Sequence, residues 1–356
     1  MKETPIRGSE RAFHDMISGI VKEPVDTGGR FVHTSWPQQL VVELTSACNQ
    51  GCVFCGRTYM ERPKGHMARA IFDRIVKQMG AESPYTELWP AFMGESMLLG
   101  DELFDRLRYA REAGCRKITL NTNGTLLNDK TIPRVLEGNW DRMIVSCDAN
   151  THQTHALLRP GRKTQGLTGI YAAMLKLIGH MRERGLTRPI IEMQFSIFTE
   201  NEHEVEDFTA FWLEQGVVVK TRPKVYWSGL VEGGEPRITT GEDRNPCLWA
   251  MDTACIHAGG NVVMCALDSE GKYVAGNVEF QPLREIWNGP LKWIRELHMR
   301  RRFQELPEIC RKCPDWQVKR ANAHFPNQAV RDDYEAYIRT GRVFMQKHEA
   351  LAVEGV

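Results

Sequence analysis

The stretch Leu44-Thr45-Ser46-Ala47-Cys48-Asn49-Gln50-Gly51-Cys52-Val53-Phe54-Cys55 carries three cysteines within twelve residues. It follows an apolar run at 40–44 that predicts a strand, so the cysteines lie on the loop that leaves this strand. The spacing C-x-x-x-C-x-x-C lets three thiolates converge on one metal centre without completing a four-ligand shell. Tetrahedral zinc and ordinary electron-transfer iron–sulfur sites use four protein ligands. A [4Fe-4S] cluster held here would therefore keep one iron open to a substrate or cosubstrate.

Short β-branched or apolar runs alternate with amphipathic stretches along the next part of the chain. Strands are predicted at 40–44, 87–92, 117–121, 142–147, 190–198 and 217–221, and helices at 68–79, 103–113, 129–136, 166–183 and 204–214. Six strands alternating with helices predict right-handed βα units around a parallel sheet. No glycine-rich phosphate loop follows any of these strands, which disfavours nucleotide-binding folds.

Polar residues follow several of the predicted strands, at the edge where active groups of such sheets gather. Each group taken alone is typical of a turn or a helix cap. In chain order they are Met93-Gly94-Glu95-Ser96, Asn121-Thr122-Asn123-Gly124, Ser146-Cys147-Asp148-Ala149 and Arg159-Pro160-Gly161.

Together with the cysteine loop, these residues resemble the radical S-adenosylmethionine (SAM) superfamily, whose signature has an aromatic residue before the last cysteine, here Phe54. The resemblance implies an open six-stranded (β/α)6 partial TIM barrel. It also implies a [4Fe-4S] cluster on Cys48, Cys52 and Cys55 that binds SAM and cleaves it to a 5'-deoxyadenosyl radical. From the cysteine spacing alone, a structural zinc loop or buried thiols remain as alternatives.

The same resemblance implies which residues contact SAM, Phe54 of the cysteine loop among them. Gly94 and Glu95 match the motif that holds the SAM amine, and Arg159 matches the arginine that meets its carboxylate. Relatives contact the ribose from the strand ends, at positions matched here by Asn121, Asn123, Ser146 and Asp148.

The fifth and sixth predicted strands add charged residues at a two-residue period. Glu192, Gln194 and Ser196 share one face, and Lys220, Arg222 and Lys224 share another. An inward Glu192 is costly to bury unpaired, so it either faces the cavity or forms an ion pair with a neighbouring strand. We expect Gln194 to bind cofactor, and Arg222 to bind SAM or an acidic substrate group.

A second set of cysteines lies beyond a polar linker at 232–244. Gly259-Gly260 predicts a hairpin turn, and Cys310-Arg311-Lys312-Cys313 is a metal knuckle. With Cys247 and Cys265 this knuckle makes a four-thiolate set that resembles the SPASM or Twitch auxiliary-cluster domain, which implies a second [4Fe-4S] cluster. No cysteine follows Cys313, so a further auxiliary cluster is not expected. A zinc ribbon is the alternative.

These features divide the chain into an N-terminal cap at 1–37, a radical SAM core at 38–230, an auxiliary-cluster domain at 231–320 and a C-terminal helical extension at 321–356. A helix is predicted at 328–337 within the extension.

Composition excludes several classes of function. The chain has 46 Lys and Arg against 45 Asp and Glu, so no polybasic surface predicts nucleic-acid binding. No run approaches the roughly 20 apolar residues of a membrane span, and no signal peptide is evident, so a cytoplasmic protein is expected. In a reducing compartment the ten cysteines serve as ligands, reactive thiols or core residues. Cys115 and Cys147 fit the core, whereas Cys255 is either a buried thiol or a hydrogen-atom donor.

The layout resembles dehydrogenases and epimerases that act on aminocyclitols and sugars in antibiotic pathways. It implies oxidation of a secondary alcohol, with Glu192 as the candidate base and a flavodoxin- or ferredoxin-type reductant. Alternatives within the family are epimerisation with Cys255 as hydrogen donor, decarboxylation favoured by Lys220 and Arg222, and peptide modification. The short N-terminal leader and single auxiliary cluster count against peptide modification. A zinc-stabilised binding module without catalysis is the alternative outside the family.

Overall fold

The structure is a computed structural model that describes residues 34–137, 140–161, 165–231, 244–317 and 321–353. Most of the expected cap at 1–37 and most of the linker at 232–244 lie outside the described residues. No helix in the described part of the chain is long and apolar enough to cross a bilayer.

The six predicted barrel strands are present and run parallel in the order β6-β5-β4-β3-β2-β1. Their bounds are β1 Gln39–Val42, β2 Glu87–Trp89, β3 Lys117–Thr122, β4 Arg142–Ser146, β5 Ile190–Ile197 and β6 Val218–Pro223. The sheet is open rather than closed on itself, which confirms the expected partial barrel.

Helices follow the strands as the alternation predicts. They are α1 Arg69–Glu82, α2 Asp101–Glu112, α3 Thr131–Leu136, α4 His152–Leu158, α5 Gly166–Glu183 and α6 Val205–Glu214. The bounds of α5 agree with those predicted, whereas α4 was not predicted. Its seven residues span only two turns, too few to show an apolar period, and its start is marked by the hydroxyl of Thr151 accepting from the Thr154 N–H.

The core lies between the sheet and the helices. From α1, the side chains of Phe72, Ile75, Val76 and Met79 are fully buried. They recur at three- and four-residue intervals, which places them on one face of the helix. Burying each such side chain contributes roughly 1.5–3 kcal/mol.

The C-terminal cysteine domain begins on the open edge of the barrel. Its strands are β7 Thr253–Ile256, β8 Asn261–Val263 and β9 Val274–Asn277, and its helices are α7 Leu248–Asp252, α8 Leu283–Asn288, α9 Pro290–Met299 and α10 Glu308–Arg311. β7 pairs parallel with β1, and β8 returns antiparallel through Gly259-Gly260, which confirms the predicted hairpin. The sequence did not predict that β7 extends the barrel sheet.

The extension at 321–356 covers the opposite edge. β10, Asn322–His324, pairs antiparallel with β6, and α11 runs over Gln328–Val353, well past the predicted end at 337. Tyr334 and Tyr337 of α11 reach the amino ends of the barrel strands, where the Tyr337 hydroxyl lies 3.1 Å from Thr119 Oγ1. The end of the barrel away from the cysteine loop is therefore covered by the chain itself.

Replacing Tyr337 with Phe should lower the free energy of unfolding by about 1–3 kcal/mol, because the buried Glu87 carboxylate loses the hydroxyl 3.2 Å from its Oε1. Urea unfolding under anaerobic conditions, at matched iron content, measures the change. Thr340→Ala, at an exposed position on the same helix, should shift it by less than about 0.5 kcal/mol. Equal stability of the Tyr337→Phe and wild-type proteins would contradict the anchoring role of this hydroxyl.

Candidate active site

The loop after β1 brings Cys48, Cys52 and Cys55 to the carboxyl end of the barrel. All three are free thiols and line one cavity of about 610 Å³. Burial raises the pKa of each thiol, that of Cys52 to about 12. A thiolate at these positions therefore requires positive charge beside it, which iron would provide.

Gly94 and Glu95 pack directly against the cysteine loop. A Cβ at position 94 would lie 2.1 Å from the Thr45 carbonyl oxygen and 2.6 Å from that of Ala47, so only glycine fits. The next backbone N–H, of Glu95, donates to the Ala47 carbonyl at 2.8 Å. This part of the predicted SAM motif therefore also fixes the loop.

The Glu95 carboxylate is buried next to the cysteine loop. It accepts from the Thr122 hydroxyl at 2.9 Å and from the backbone N–H of Asn123 at 2.7 Å. Burial raises its pKa, while these donors oppose the shift. An ammonium group beside Glu95 would keep the carboxylate ionised.

Three neighbouring strands present a connected polar row to the cavity. Gln194 on β5 donates to Ser146 on β4 at 3.1 Å, and Ser146 donates to Asn121 on β3 at 3.4 Å. Asn123 lies nearer the cysteines, with its amide nitrogen 2.9 Å from Asn49 Oδ1 and 3.8 Å from Cys48 Sγ. Of the nine predicted cofactor contacts, the eight that line this cavity are Phe54, Gly94, Glu95, Asn121, Asn123, Ser146, Arg159 and Gln194.

Asp148 is the predicted cofactor contact that does not line the cavity. Its backbone adopts a φ of 58°, and its buried carboxylate binds Arg159, with Oδ2 3.0 Å from Nε and closer still to Nη2. The held guanidinium lies 3.7 Å from Cys52 Sγ through Nη1 and 5.3 Å from the Phe54 ring centre. Asp148 therefore orients Arg159, which is the member of this pair that lines the cavity, and contact of either residue with SAM stays a prediction.

Glu192 lies in an ion-pair network at the amino-terminal end of the cavity, which its partners Arg142, Lys220 and Tyr334 line. Its carboxylate is fully buried, 3.2 Å from Arg142 and 3.5 Å from Lys220, and Tyr334 donates to it at 2.9 Å. Burial opposes ionisation, but Lys220 and Arg142 outweigh it and hold the pKa of Glu192 below its ordinary value. These contacts are those of the ion-pair alternative, and a lowered pKa makes Glu192 a poorer base.

Arg142 is the hub of this network. Its guanidinium also lies 2.9 Å from Glu87, whose pKa it holds at about 2 together with Lys117, against the opposing effect of burial. Charges on neighbouring strands thus neutralise one another near the amino ends of the strands. This pairing offsets the cost of removing each charge from water.

Lys220 and Arg222 both line the cavity, as their shared face predicts. Arg222 donates to the Ser196 hydroxyl at 3.0 Å. Burial lowers the pKa of Lys220, with Arg142 and Arg222 assisting and Glu192 opposing. Lys220 is therefore a cavity-lining amine whose environment moves it toward the neutral form.

Cys255 is fully buried on β7 between Val41 and Val263. It is not among the cavity-lining residues, although its neighbours Trp89 and Phe92 are. Cys115 and Cys147 are likewise fully buried in the core.

The second cysteine set surrounds a separate, smaller cavity. Cys247, Cys265, Cys310 and Cys313 all line it, together with aromatic and aliphatic side chains. Within the described ranges no three or more His, Cys, Asp or Glu side chains gather closely enough to hold one metal ion. A four-iron cluster needs a wider cradle than a single ion, and both cysteine sets fit this larger group in donor type.

Residues that the sequence did not single out also form the site. Arg57 lines the cavity and donates from Nε to the Ser46 carbonyl at 2.7 Å, and Phe198 stacks on Phe54 at 4.4 Å. Trp227 and Trp249 add aromatic walls. No motif marks them, because each reaches the site through tertiary packing.

Two family models match the chain. The model described as radical SAM superfamily covers residues 42–211, and the SPASM model, described as an iron-sulfur cluster-binding domain, covers residues 247–314. Residues 42–211 therefore form a radical SAM domain, and residues 247–314 form a SPASM domain. The cofactors of the chain are SAM with a [4Fe-4S] cluster in the core, and an auxiliary iron–sulfur centre in the SPASM domain.

Relatives share only part of this chain. It is 30% identical over 141 residues to an AdoMet-dependent heme synthase of Methanosarcina barkeri, covering 38% of this chain and 39% of that protein. It is 26% identical over 179 residues to a Pyrococcus furiosus protein that modifies the cofactor of tungsten-containing aldehyde ferredoxin oxidoreductase, covering 50% and 49%. The chain thus spans less than half the length of either relative.

Solved structures resemble the fold at low sequence identity. BtrN in complex with AdoMet and 2-DOIA aligns with a TM-score of 0.53 and 18% identity, over 78% of this chain and 92% of that one. Streptococcus suis SuiB bound to the precursor peptide SuiA aligns with a TM-score of 0.58 and 13% identity, over 83% and 73%. Native anSMEcpe with AdoMet and the Cp18Cys peptide aligns with a TM-score of 0.55 and 15% identity, over 87% of this chain and 98% of that one.

Gly94→Ala should abolish the core cluster, because its Cβ would displace the Thr45 and Ala47 carbonyls that hold the cysteine loop. Iron and sulfide analysis after anaerobic reconstitution should fall by roughly four irons per chain relative to wild type. Gly65→Ala is the matched control, since nothing lies within 4 Å of a Cβ there. Full iron content in Gly94→Ala would contradict the steric argument.

Proposed function

We propose that the protein oxidises a secondary alcohol of a small polyhydroxylated metabolite, a sugar or an aminocyclitol, to a ketone. The observation that carries the proposal is the second cysteine site, where four cysteines line one buried cavity. Four thiolates fill the protein-ligand positions of a [4Fe-4S] cluster, so this site suits electron transfer rather than substrate binding. Oxidation of the alcohol releases an electron that needs an acceptor, whereas epimerisation releases none.

When bound, SAM with the core cluster would supply a 5'-deoxyadenosyl radical, and the auxiliary centre would supply an electron acceptor. The carbinol carbon gives up its hydrogen atom, the hydroxyl gives up a proton, and one electron leaves as the C=O bond forms. Reductive cleavage of SAM consumes one electron, so the electron released by the substrate closes the balance. A flavodoxin- or ferredoxin-type protein is the proposed carrier.

The size of the cavity supports a small substrate. Its volume of about 610 Å³ must hold SAM as well as the substrate, and it lies within the range of sites for single small ligands. Trp89, Trp249 and Phe92 offer flat apolar faces, and Arg222 and Asp252 offer polar groups. Such a mixture suits a ring with both C–H and hydroxyl faces.

Lys220 is the proposed acceptor of the hydroxyl proton. It lines the cavity beside Gln194, its register partner on β5, and burial lowers its pKa. Glu192 is the weaker candidate, since it does not line the cavity and its lowered pKa makes its carboxylate a poorer base. We therefore assign Glu192 to positioning Lys220, which lies 3.5 Å away.

A second candidate is modification of a peptide. The likeness in fold to SuiB and to anSMEcpe, both solved with peptides bound, favours it. Epimerisation through Cys255 has no such support, because that thiol is fully buried outside the cavity.

The holoenzyme incubated with SAM, dithionite and sugars or aminocyclitols deuterated at each carbinol carbon should form deuterated 5'-deoxyadenosine and ketone in equal amounts. A Cys310→Ala/Cys313→Ala variant should still cleave SAM but form no ketone, because the auxiliary centre loses two ligands. Cys115→Ala, a core cysteine, should retain both products. Mass spectrometry measures both the deuterated 5'-deoxyadenosine and the ketone. Ketone formation by the double variant would contradict the electron-acceptor role. If deuterium reached 5'-deoxyadenosine only from deuterated peptides, peptide modification would be favoured.

Lys220→Met should lower ketone formation by about 100-fold or more while leaving SAM cleavage intact, as expected for loss of a general base. Lys224→Met, four residues along and not among the cavity-lining side chains, is the control.

The pH dependence separates Lys220 from Glu192. A neutral lysine is the active form, so ketone formation should rise as the pH passes the pKa of Lys220. Glu192 raises this pKa, so Glu192→Gln should shift the rise to lower pH while preserving the plateau rate. Loss of the plateau in Glu192→Gln, measured across the pH range in single-turnover assays, would instead favour Glu192 as the base.

A further inference from the structure

A short turn after β6 touches both cysteine sites. Trp227 and Ser228 have φ angles of 51° and 56°, so two successive residues with side chains adopt the left-handed conformation. Such residues are uncommon and cost free energy unless surrounding contacts hold them. The contacts that hold this turn indicate its role.

Asp315 is the side chain that holds the turn. Its fully buried carboxylate accepts the Tyr226 N–H at 2.7 Å through Oδ1 and the Ser228 N–H at 2.8 Å through Oδ2. The backbone N–H of Asp315 in turn lies 3.3 Å from Cys313 Sγ. The turn is thereby tied to the Cys310–Cys313 knuckle of the auxiliary site.

The two residues of the turn point to different cysteine sets. The Trp227 indole N–H donates to the Phe54 carbonyl at 3.0 Å, and its ring covers Gly56, where a Cβ would lie 2.8 Å from the ring. Phe54 and Gly56 flank the core ligand Cys55. The Ser228 hydroxyl donates to Cys313 Sγ at 3.5 Å.

The turn is also a wall between the two cavities. Trp227 lines the larger cavity that contains Cys55, and Ser228 lines the smaller cavity that contains Cys313. Adjacent residues of one turn thus contact a ligand of the auxiliary site and the loop of the core site.

We propose that the Trp227-Ser228 turn is a positioning element that couples the two cluster sites. Ser228 raises the reduction potential of the auxiliary centre by donating a hydrogen bond to a ligand sulfur, which stabilises the more negative, reduced state. Trp227 fixes the position of that centre relative to the core loop. The inference rests on the cofactors of the family and not on the alcohol oxidation proposed above.

The test of Ser228 is a redox titration followed by EPR on the anaerobic holoprotein. Ser228→Ala and Ser228→Gly should both lower the midpoint potential of the auxiliary centre and leave that of the core cluster unchanged. Glycine adopts a φ near 56° without strain, so Ser228→Gly removes the hydroxyl while keeping the turn. An unchanged auxiliary midpoint in both variants, or loss of auxiliary iron in both, would overturn the tuning role.

The test of Trp227 is the magnetic interaction between the two reduced clusters, measured by pulsed EPR. Trp227→Phe keeps an aromatic ring but removes the donor to Phe54, and should change the interaction. Trp249→Phe is the matched control, because Trp249 lines the same cavity but its indole N–H has no partner among the described residues. Equal spectra for Trp227→Phe and wild type would overturn the coupling, and so would equal changes in both variants. Failure of the alcohol oxidation assay would leave these spectroscopic outcomes unaffected.

Discussion

Every part of the core site depends on how the loop of Cys48, Cys52 and Cys55 is held. Three thiols on a loop cannot fix their own geometry, so the backbone of the loop is bound from outside. Gly51 and Val53 donate to the carbonyls of Pro160 and Leu158 at 2.7 and 3.1 Å, beyond the end of α4 and at its last residue. Gly94-Glu95 and Trp227 bind other parts of the loop, so segments following β2, β4 and β6 all meet on it. The site is therefore formed only when the barrel is folded.

The barrel has two electrostatic levels with different tasks. At the amino ends of the strands, Arg142 neutralises Glu87 and Glu192, and tyrosines from α11 satisfy the remaining oxygens. At the carboxyl ends, uncharged Asn, Ser and Gln side chains form a row that can exchange partners with a ligand. Lys220 lies between the levels, bound to the lower one through Glu192 and exposed to the cavity above. This intermediate position is what makes it both buried and accessible.

Much of the fold and the ligand set could be predicted because their signals are local. Strand and helix positions follow from periodicity, and the cysteine spacings predict both cluster sites. The roles of Glu192 and Asp148 could not be read in this way, since each depends on a partner from another strand or helix. Arg142 and Arg159 carry no mark in the sequence that says which carboxylate they will meet. Trp227, Ser228 and Asp315 were missed for the same reason, because their contacts join residues 85 or more positions apart.

An open barrel leaves two strands without a neighbour, and such edges invite pairing between molecules. Here both are occupied by the chain itself: β7 lies along β1, and β10 lies along β6. The strand that protects β1 belongs to the domain that also carries Cys247 and Cys265. Oxidative loss of the auxiliary iron would therefore affect more than the cluster itself. If β7 separated from β1, the edge of the barrel sheet would be exposed to pairing with other molecules. Damage to the cluster could in this way lead to aggregation.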